Sequence, residues 1–241
     1  MPEKWAEAGR VKGSETEIDS TDMLKCATVA DEGNLAEATY SRILDWMLSG
    51  DLKAGQAMQE RRLADALNVS RTPVREALGR LEAEQLLMRR RRVLLVAELS
   101  VETYVHLLDM RRILETEVAA RATGHLSAAV AARVEDAISD LLAQEAPTPA
   151  AHWAVDDLVH NSIAEAAGNP TITQTIRDLR RRTHIFNTQR IAYRRRPGAD
   201  EHRALIHAVR GADPALSRRL MGEHLDHVRD AIIDYILGHR T

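Results

Sequence analysis

Apolar residues in the first part of the chain follow two different patterns. They recur every three or four positions in three short segments, which predicts amphipathic helices over residues 34–49, 59–67 and 72–84. An apolar run, a run of arginines and a second apolar run follow, and they predict a β-hairpin with a basic tip at residues 86–96. The pattern therefore predicts a small head of three helices and one hairpin.

From Ser100 onward the apolar pattern is helical to the end of the chain. Glycine and proline interrupt it at Gly124 and at residues 146–149, 168–170, 197–198 and 211–214. These breaks leave six candidate helices, at residues 101–123, 128–144, 151–167, 171–192, 200–210 and 214–237. The predicted fold class is mainly α: a head with a small hairpin, followed by an all-α antiparallel helical bundle.

The chain divides into three parts. Residues 1–33 are polar, acidic and without periodicity, which predicts a mobile tail; residues 34–98 form the head and residues 99–241 the helical body. Cys26 is the single cysteine, so no intramolecular disulfide can form and a reducing compartment, the cytoplasm, is expected. The sequence has no signal-peptide pattern and no apolar run of about 18 residues, so we expect no membrane span.

Basic charge is concentrated in one part of the head. The formal net charge of the chain is −3, but residues 60–92 hold 9 arginines against 5 acidic residues. A local basic footprint of this kind is typical of a nucleic-acid-binding surface. Aromatic residues make up only 3% of the chain, which argues against a protein that stacks the bases of RNA or of single strands.

The stretch NVSRTPVREAL, residues 68–78, has the features of a helix-turn-helix. A helix, a three-residue turn and a second helix match this motif, whose second helix lies in the major groove of DNA. Pro73 is tolerated in the first turn of that helix because the N–H it lacks has no intrahelical partner there. Thr72 is the expected N-cap, and Ser70 is the alternative if the helix begins earlier.

Two arginines stand at the N-terminal end of this helix, where the helix dipole normally favours acidic residues. Arg71 and Arg75 are four apart and share one face, and each guanidinium can bind guanine or phosphate oxygens bidentately. Ser70 and Thr72 can donate to phosphate. The simpler interpretation is a pair of solvated surface charges, but the adjoining turn, proline and apolar spacing favour double-stranded DNA as the partner.

Other basic residues flank the predicted recognition helix. Arg61, at the start of the preceding helix, is placed to hold the DNA backbone. Arg91 and Arg92, at the hairpin tip, can enter the adjacent minor groove or contact its phosphates. Arg89 and Arg90 fit an ordinary surface role equally well.

These motifs resemble the winged-helix head of GntR-type transcription regulators. The similar segments are ERRLADAL at 60–67, NVSRTPVREAL at 68–78, Arg80-Leu81-Glu82, Tyr40-Ser41-Arg42-Ile43 and the turn at 50–55. The resemblance implies DNA contacts from Arg61, Arg71, Arg75 and the wing. The chain departs from the family pattern in two places, because Gln85 and the wing tip stand where glycine is usual. A tip without glycine cannot bring its backbone as close to the groove.

The helical body contains candidate metal ligands. Asp156 and His160 are four apart on one helix face, and His202 and His224 lie in two later helices. One oxygen and three nitrogens suit a borderline divalent ion such as Zn²⁺, with a position left for water or ligand. Spacing alone does not choose among the ten histidines, and a lone histidine on a helix is more often a core or surface residue. The other plausible histidines are His152, His184, His207, His227 and His239.

The same residues resemble the ligand-binding domain of the FadR branch of GntR regulators, known as the FCD domain. The similar segments are DDLVH at 156–160, AEAAGNP at 164–170, EHRALI at 201–206, GAD at 211–213 and EHL at 223–225. In metal-binding members the four matching positions hold the ion, which implies Zn²⁺, Ni²⁺ or Mn²⁺ at Asp156, His160, His202 and His224. Six body helices rather than seven would resemble the VanR-like group.

The resemblance also implies a small organic acid as effector, bound beside the metal. Arg111 is a candidate anchor for its carboxylate, and the alternative is a surface ion pair with Glu115 one turn on. Arg182 and Asn187 are weaker candidates for residues that line the pocket.

These features together predict a metabolite-responsive transcription regulator, a repressor, and not an enzyme. We expect a homodimer, because one recognition helix reads few base pairs and two-fold operators mirror dimers. A metal-dependent hydrolase that carries a helix-turn-helix is the first alternative, since a metal with an open position can activate water. A nucleoid-like architectural protein is the second, and it would bind DNA without sequence preference.

Overall fold

The head is a winged helix-turn-helix. A computed structural model describes the backbone of residues 29–187 and 195–236 and the side chains of residues 34–185 and 196–236. The elements of the head are helices α1 (Val29–Ser49), α2 (Glu60–Leu67) and α3 (Arg71–Ala83) and strands β1 (Leu87–Arg90) and β2 (Val93–Val96). Their apolar faces share one core, at whose centre Ile43, Met47, Leu81 and Leu86 are almost fully buried. The apolar spacing along the sequence therefore predicted these elements correctly.

The turn between α2 and α3 depends on two residues with non-helical backbone. Asn68 ends α2 in the left-handed conformation, with a φ of 53°. Ser70 is the N-cap of α3 by backbone conformation, so the predicted cap at Thr72 is two residues too late and the alternative was right. Pro73 then lies at the third helical position, where no intrahelical N–H bond is lost.

The wing is a two-stranded antiparallel hairpin. Leu87 pairs with Val96 and Arg90 with Val93, which leaves Arg91 and Arg92 at the tip. Arg91 has a φ of 59°, and Gln85, which leads into the hairpin, has a φ of 60°. Both positions thus adopt the left-handed backbone for which glycine is the usual residue, although neither is glycine.

The body is a bundle of six helices within the described residues. They are α4 (Val101–Ala122), α5 (Ala128–Ala143), α6 (Pro149–Ala166), α7 (Pro170–Asn187), α8 (Arg195–Arg210) and α9 (Pro214–Ile236). Short polar side chains start three of them: Ser100, Ser127 and Thr148 each accept a hydrogen bond from a backbone N–H of the first turn. The six helices bury a core of their own, separate from that of the head.

Two predicted boundaries were wrong. Helix α8 begins at Arg195 and passes through Pro197-Gly198, where a break was expected. Pro197 occupies the first turn, and a proline there costs no hydrogen bond. Helix α1 begins at Val29 rather than Asn34. Residues 1–28, most of the predicted tail, lie outside the described part of the chain.

Helix α7 joins the body to the head. Ile185, near the end of α7, packs against the apolar core of the head. Helix α7 also contacts α4 and α6 of the body. One helix therefore touches both the head and the interior of the bundle. No helix in the described ranges is long and apolar enough to cross a bilayer.

Candidate functional site

The predicted DNA-contacting residues form an exposed basic surface on the head. All seven side chains are exposed: Arg61, Ser70, Arg71, Thr72, Arg75, Arg91 and Arg92. Helix α3 places Arg71 in its first turn and Arg75 one turn later, while its opposite face buries Val74, Ala77 and Leu78. The helix thus presents its cations outward because its apolar residues fix the inward face.

Arg75 already binds a carboxylate within the head. Its Nε and Nη2 donate to the two carboxylate oxygens of Glu60 at 3.3 and 3.0 Å. Both side chains are exposed, so water can replace this ion pair and it contributes little to stability. The Arg75 guanidinium can therefore exchange the Glu60 carboxylate for a group of the DNA.

The remaining arginines of the basic segment differ in their surroundings. Arg89 donates to both oxygens of Glu82, at 3.0 and 2.8 Å, and this bidentate pair ties strand β1 to helix α3. Arg89 is therefore held by a glutamate of the head, as Arg75 is by Glu60, and its ordinary surface role stays a prediction. Arg90, Arg91 and Arg92 are exposed at the end of the wing.

In the body, four side chains converge from three helices. Asp156 and His160 come from α6, His202 from α8 and His224 from α9. One ligand atom from each lies within 4.8 Å of the other three. The bundle therefore assembles the predicted four residues, while the other histidines among the described residues are not part of this group.

The distances within the cluster are those of atoms that face a common point. His160 Nε2 lies 3.3 Å from His224 Nε2, and Asp156 Oδ1 lies 3.8 Å from His160 Nε2 and 3.4 Å from His202 Nε2. Ligands about 2.0–2.2 Å from one zinc ion would lie roughly 3–4 Å apart, so these separations suit a small cation.

Two carboxylates behind the cluster fix the tautomers of two histidines. Glu115 Oε2 accepts a short hydrogen bond from His160 Nδ1, and Glu201 Oε2 accepts one from His224 Nδ1 at 2.8 Å. A neutral imidazole that donates through Nδ1 carries its lone pair on Nε2. Both Nε2 lone pairs therefore point into the cluster, as in the carboxylate–histidine pairs of metal sites.

The electrostatics keep His160 and His224 neutral and Asp156 charged. Burial, reinforced by the charge of Arg180, lowers the pKa of His160 to about 3, against the opposing effect of Glu115. Burial also lowers the pKa of His224. Burial alone would raise the pKa of Asp156, but Arg180 and His202 outweigh it and hold that pKa well below its usual range. These three groups are thus already in the protonation state that binds a metal.

The atoms that face the centre of the cluster are acceptors without a hydrogen-bond donor between them, which supports a cation as the ligand of the cluster. Two Nε2 lone pairs face each other at 3.3 Å, an arrangement that repels unless a positive charge lies between them. The Nε2 of His202 is buried and has no hydrogen-bond partner among the described residues. Buried polar atoms are nearly always paired, so three inward nitrogens and one carboxylate oxygen fit a metal ion.

The predicted effector residues have different positions. Arg111 forms the intrahelical pair with Glu115 that was the alternative, with Nε donating to Oε1 at 2.6 Å, but the pair is buried and not on the surface. Arg111 also donates to Thr183 Oγ1 at 3.1 Å. Arg182 is half-buried on α7, about 200° round the helix from Arg180. The side chain of Asn187 lies outside the described residues. The roles of these three residues remain predictions.

Sequence reasoning missed a residue that contacts the cluster. Arg180 is fully buried, and its Nη2 donates to Asp156 Oδ2 at 2.7 Å. It stands in a run of three arginines, Arg180-Arg181-Arg182, and only the packing of α7 decides which one points inward. The helical spacing from the buried Thr173 and Ile176 to Arg180 was the available signal.

The next residue of α7 contacts the head instead. Arg181 Nη1 donates to Tyr40 Oη at 3.2 Å and to Glu84 Oε2 at 3.3 Å, and Tyr40 Oη itself donates to Glu84 at 2.6 Å. One turn on, His184 Nε2 donates to the carbonyl oxygen of Leu48 in α1 at 3.1 Å. Burial lowers the pKa of His184 to about 4, so this donor is neutral at pH 7.

Comparison with known proteins agrees with this two-part structure. Residues 35–93 match the family model of the bacterial regulatory proteins of the gntR family, and residues 106–227 match the model of the FCD domain. The uncharacterized HTH-type transcriptional regulator YcbG of Bacillus subtilis (strain 168) is 29% identical over 230 residues, which cover 89% of this chain and 97% of that protein. The gluconate operon transcriptional repressor of the same organism is 24% identical over 236 residues, 92% of this chain and 94% of that protein.

Solved structures show the same fold. McbR/YncC of E. coli superposes with a TM-score of 0.73 at 22% identity, over 86% of this chain and 99% of that one. A GntR regulator of Rhodococcus sp. RHA1 has a TM-score of 0.70 at 20% identity, over 85% and 98% of the two chains. A winged helix-turn-helix head and an FCD body, each matched by its family model, identify the chain as a member of the GntR family of transcription regulators.

Proposed function

We propose that this protein is a metabolite-responsive repressor that binds operator DNA as a homodimer and holds a divalent metal and a small organic acid in its body. It acts in the cytoplasm, where its DNA lies. The observation that carries the proposal is the position of α7. Arg180 of this helix contacts the metal-type cluster, by which we mean the group of Asp156, His160, His202 and His224, and the adjacent Arg181 contacts the head. A ligand bound in the body would thus contact the helix that also contacts the DNA-binding head.

The DNA partner follows from the exposed surface of the head. Arg71 and Arg75 extend from the N-terminal part of α3, the part of a recognition helix that reaches base edges. Ser70 and Thr72 can donate to phosphates, while Arg61, Arg91 and Arg92 lie on flanking elements. This division predicts direct readout by α3 and positioning by the other residues.

The metal would be held by Asp156, His160, His202 and His224, with Glu115 and Glu201 as the partners that orient two of the imidazoles. Three nitrogens and one oxygen favour Zn²⁺, and Ni²⁺ or Mn²⁺ are also compatible with this donor set. When bound, a divalent ion supplies a Lewis-acidic centre for an oxygen of the acid. We do not propose the hydrolase alternative, because the family consists of regulators.

The similar gluconate operon repressor supports the repressor role, and the operon named in its title is that of an organic acid. Binding can shift the placement of the head only if the acid prefers one arrangement of α7 over another. Arg181 and His184 of α7 form hydrogen bonds with Tyr40, Glu84 and Leu48 of the head. A change in the placement of the head would alter these hydrogen bonds.

The proposal is tested by protection of genomic fragments at low salt, with zinc and with or without gluconate, citrate or lactate. We expect a protected two-fold site whose occupancy changes with one of the acids and falls steeply with salt. Equal binding to random duplex would instead indicate an architectural protein. Protection of no fragment under any of these conditions would contradict the regulator function.

The dimer has a candidate surface on α4. Met110 and Ile113 are 49% and 71% exposed and lie three residues apart on one face. An exposed apolar pair on a long helix is more consistent with a subunit interface than with solvent contact. Ile113→Glu places a charge there, so we expect the mass in sedimentation equilibrium to fall from twice 26.9 kDa toward 26.9 kDa.

The control for this prediction is Ala129→Glu, at an exposed position in the first turn of α5. It adds the same charge far from Met110 and Ile113 and should leave the mass unchanged. If Ile113→Glu and wild type have the same mass, α4 is not the interface.

The coupling through α7 is tested by Arg181→Met, which removes the cation bound to Tyr40 and Glu84 and leaves the ligand cluster intact. We expect the ratio of operator Kd values with and without the active acid to move toward 1, because coupling resides in contacts that differ between states. Arg177→Met is the matched control, since Arg177 pairs with Glu165 inside the body. An unchanged ratio in Arg181→Met would exclude this contact as the link.

A further inference from the structure

Arg180 combines complete burial with an unused hydrogen-bond donor. Its Nη2 donates to Asp156 Oδ2 at 2.7 Å and its Nε to Asp157 Oδ1 at 3.3 Å. Its third nitrogen, Nη1, is buried and has no partner among the described residues. A guanidinium is always charged and has only donors, so an acceptor is required at Nη1.

Protein interiors rarely leave such a group unpaired. A buried donor without an acceptor is unfavourable, and a charged one more so, which is why the exceptions commonly mark a ligand, an ion or a water molecule. Asp156 and Asp157 occupy the other two nitrogens, and Glu115, the third carboxylate that acts on Arg180, is bound by Arg111 and His160. None of the three is free to turn to Nη1 without giving up its own contact. The acceptor must therefore come from outside this group.

The surroundings of Arg180 place that acceptor beside the metal-type cluster. Nη1 and Nη2 are bonded to the same carbon, and Nη2 contacts Asp156, whose other oxygen faces His202. Thr183, one turn along α7, accepts from the buried Arg111, which in turn holds Glu115. The Arg180 charge also lowers the pKa of His160, as expected for a cation close to that ring. Two buried arginines thus border the cluster, and of these two it is Arg180 that has a buried unpaired nitrogen. The Nε of the half-buried Arg182 is also unpaired, but Arg182 lies about 200° round α7 from Arg180.

We propose that Nη1 of Arg180 is the anchor for the carboxylate of the effector beside Asp156, His160, His202 and His224. The inference rests on the proposed function, in that it assumes an acid as ligand, and it adds the residue that selects for negative charge. A carboxylate oxygen accepts a charge-assisted hydrogen bond from Nη1, whereas an amide nitrogen or a neutral sugar offers a weaker acceptor or a second donor. Small organic anions are therefore bound and their neutral analogues rejected.

This anchor also connects the ligand to the head. The guanidinium that takes the carboxylate is one residue away from Arg181, which contacts Tyr40 and Glu84. A ligand that fixes Arg180 fixes the rotation of α7 at the residue next to the head contact. Arg111, the anchor expected from sequence, already has Glu115 and Thr183 as partners.

The experiment is calorimetric titration of gluconate, citrate and, as the neutral control, glucose into wild type, Arg180→Lys and Arg177→Lys, each with and without zinc. Arg180→Lys keeps a positive charge near Asp156 but lacks the planar fork. We expect acid binding about 10- to 100-fold weaker than wild type, the range for one hydrogen bond to a charged group. Arg177→Lys makes the same change on α7 at a residue that pairs with Glu165, so it should bind the acids like wild type, and glucose should bind to none of the three.

A crystal structure of wild type with the tightest acid gives a second measurement that does not depend on the folding of a variant. We expect a carboxylate oxygen within hydrogen-bond distance of Nη1. Equal acid affinity in Arg180→Lys and wild type, a water molecule at Nη1 with the acid elsewhere, or no acid binding by wild type would each overturn the anchor. Zinc affinity, measured separately by chelator competition, reports on the proposed metal site alone, so the two failures are distinguishable.

Discussion

His224→Ala should lower the affinity of the protein for Zn²⁺ by about 100-fold or more, because removing a partner behind a ligand already costs roughly 10- to 100-fold. His224 contributes one of the two Nε2 atoms that face each other at 3.3 Å, and Glu201 fixes its tautomer. The measurement is competition for zinc with a coloured chelator at pH 7.5. Far-ultraviolet circular dichroism checks that the variant is folded.

His227→Ala is the matched control for this experiment. His227 lies three residues further along α9 and donates to the other oxygen of Glu201 at 2.9 Å, but its side chain is 56% exposed and lies outside the four-residue cluster. It should bind zinc like wild type. If His224→Ala and His227→Ala lose zinc affinity equally, or neither does, the four residues are not the metal site.

Arg75→Ala should weaken binding to the operator by roughly 5- to 150-fold and relax discrimination at one base pair, the loss expected for one bidentate base contact. Arg75 extends from α3 and gives up only an exposed ion pair with Glu60 when it binds DNA. The measurement is fluorescence anisotropy with the protected site and with single-base variants of it, at two salt concentrations.

The control is Arg219→Ala, an exposed arginine of α9 that pairs with Glu223 in the body. It removes the same charge from the chain without touching the head. If Arg75→Ala binds all the duplexes with the affinity and selectivity of wild type, direct readout by Arg75 is wrong. A uniform loss across sequences would show a phosphate contact instead, with a smaller salt slope.

The ends of helices and of the hairpin that the sequence predicted correctly are those set by residues close together in the chain. The turn at Asn68 to Ser70, the hairpin around Arg91-Arg92 and the six body helices follow from apolar spacing and from the residues that end helices. The errors arose where a signal had two meanings. Pro197 reads as a break, yet a proline in a first turn is compatible with a helix that begins at Arg195.

The site was predictable only with the help of the resemblance. Asp156 and His160 share a face by their spacing, but nothing in the spacing selects His202 and His224 from ten histidines. Arg180 was missed because it stands in a run of three arginines, and the helical spacing from Thr173 and Ile176 was the one local signal that separates it from the other two. Glu201 is likewise adjacent to one ligand in sequence but orients another, His224, 23 residues away.

By itself, the sequence determined the helices and strands of this protein, the outward face of α3 and the kinds of side chain in the body that are candidates to bind a metal. Each of these depends on side chains a few positions apart in the chain. Only the tertiary structure decided which histidines meet, which tautomers they adopt and which arginine is buried. Those properties depend on how α4, α6, α7, α8 and α9 pack, and packing brings together groups that chain distance leaves unrelated. Burial then sets the pKa of His160 and leaves Arg180 in need of an acceptor, because a charge or lone pair removed from water must find a partner in the protein or in its ligand.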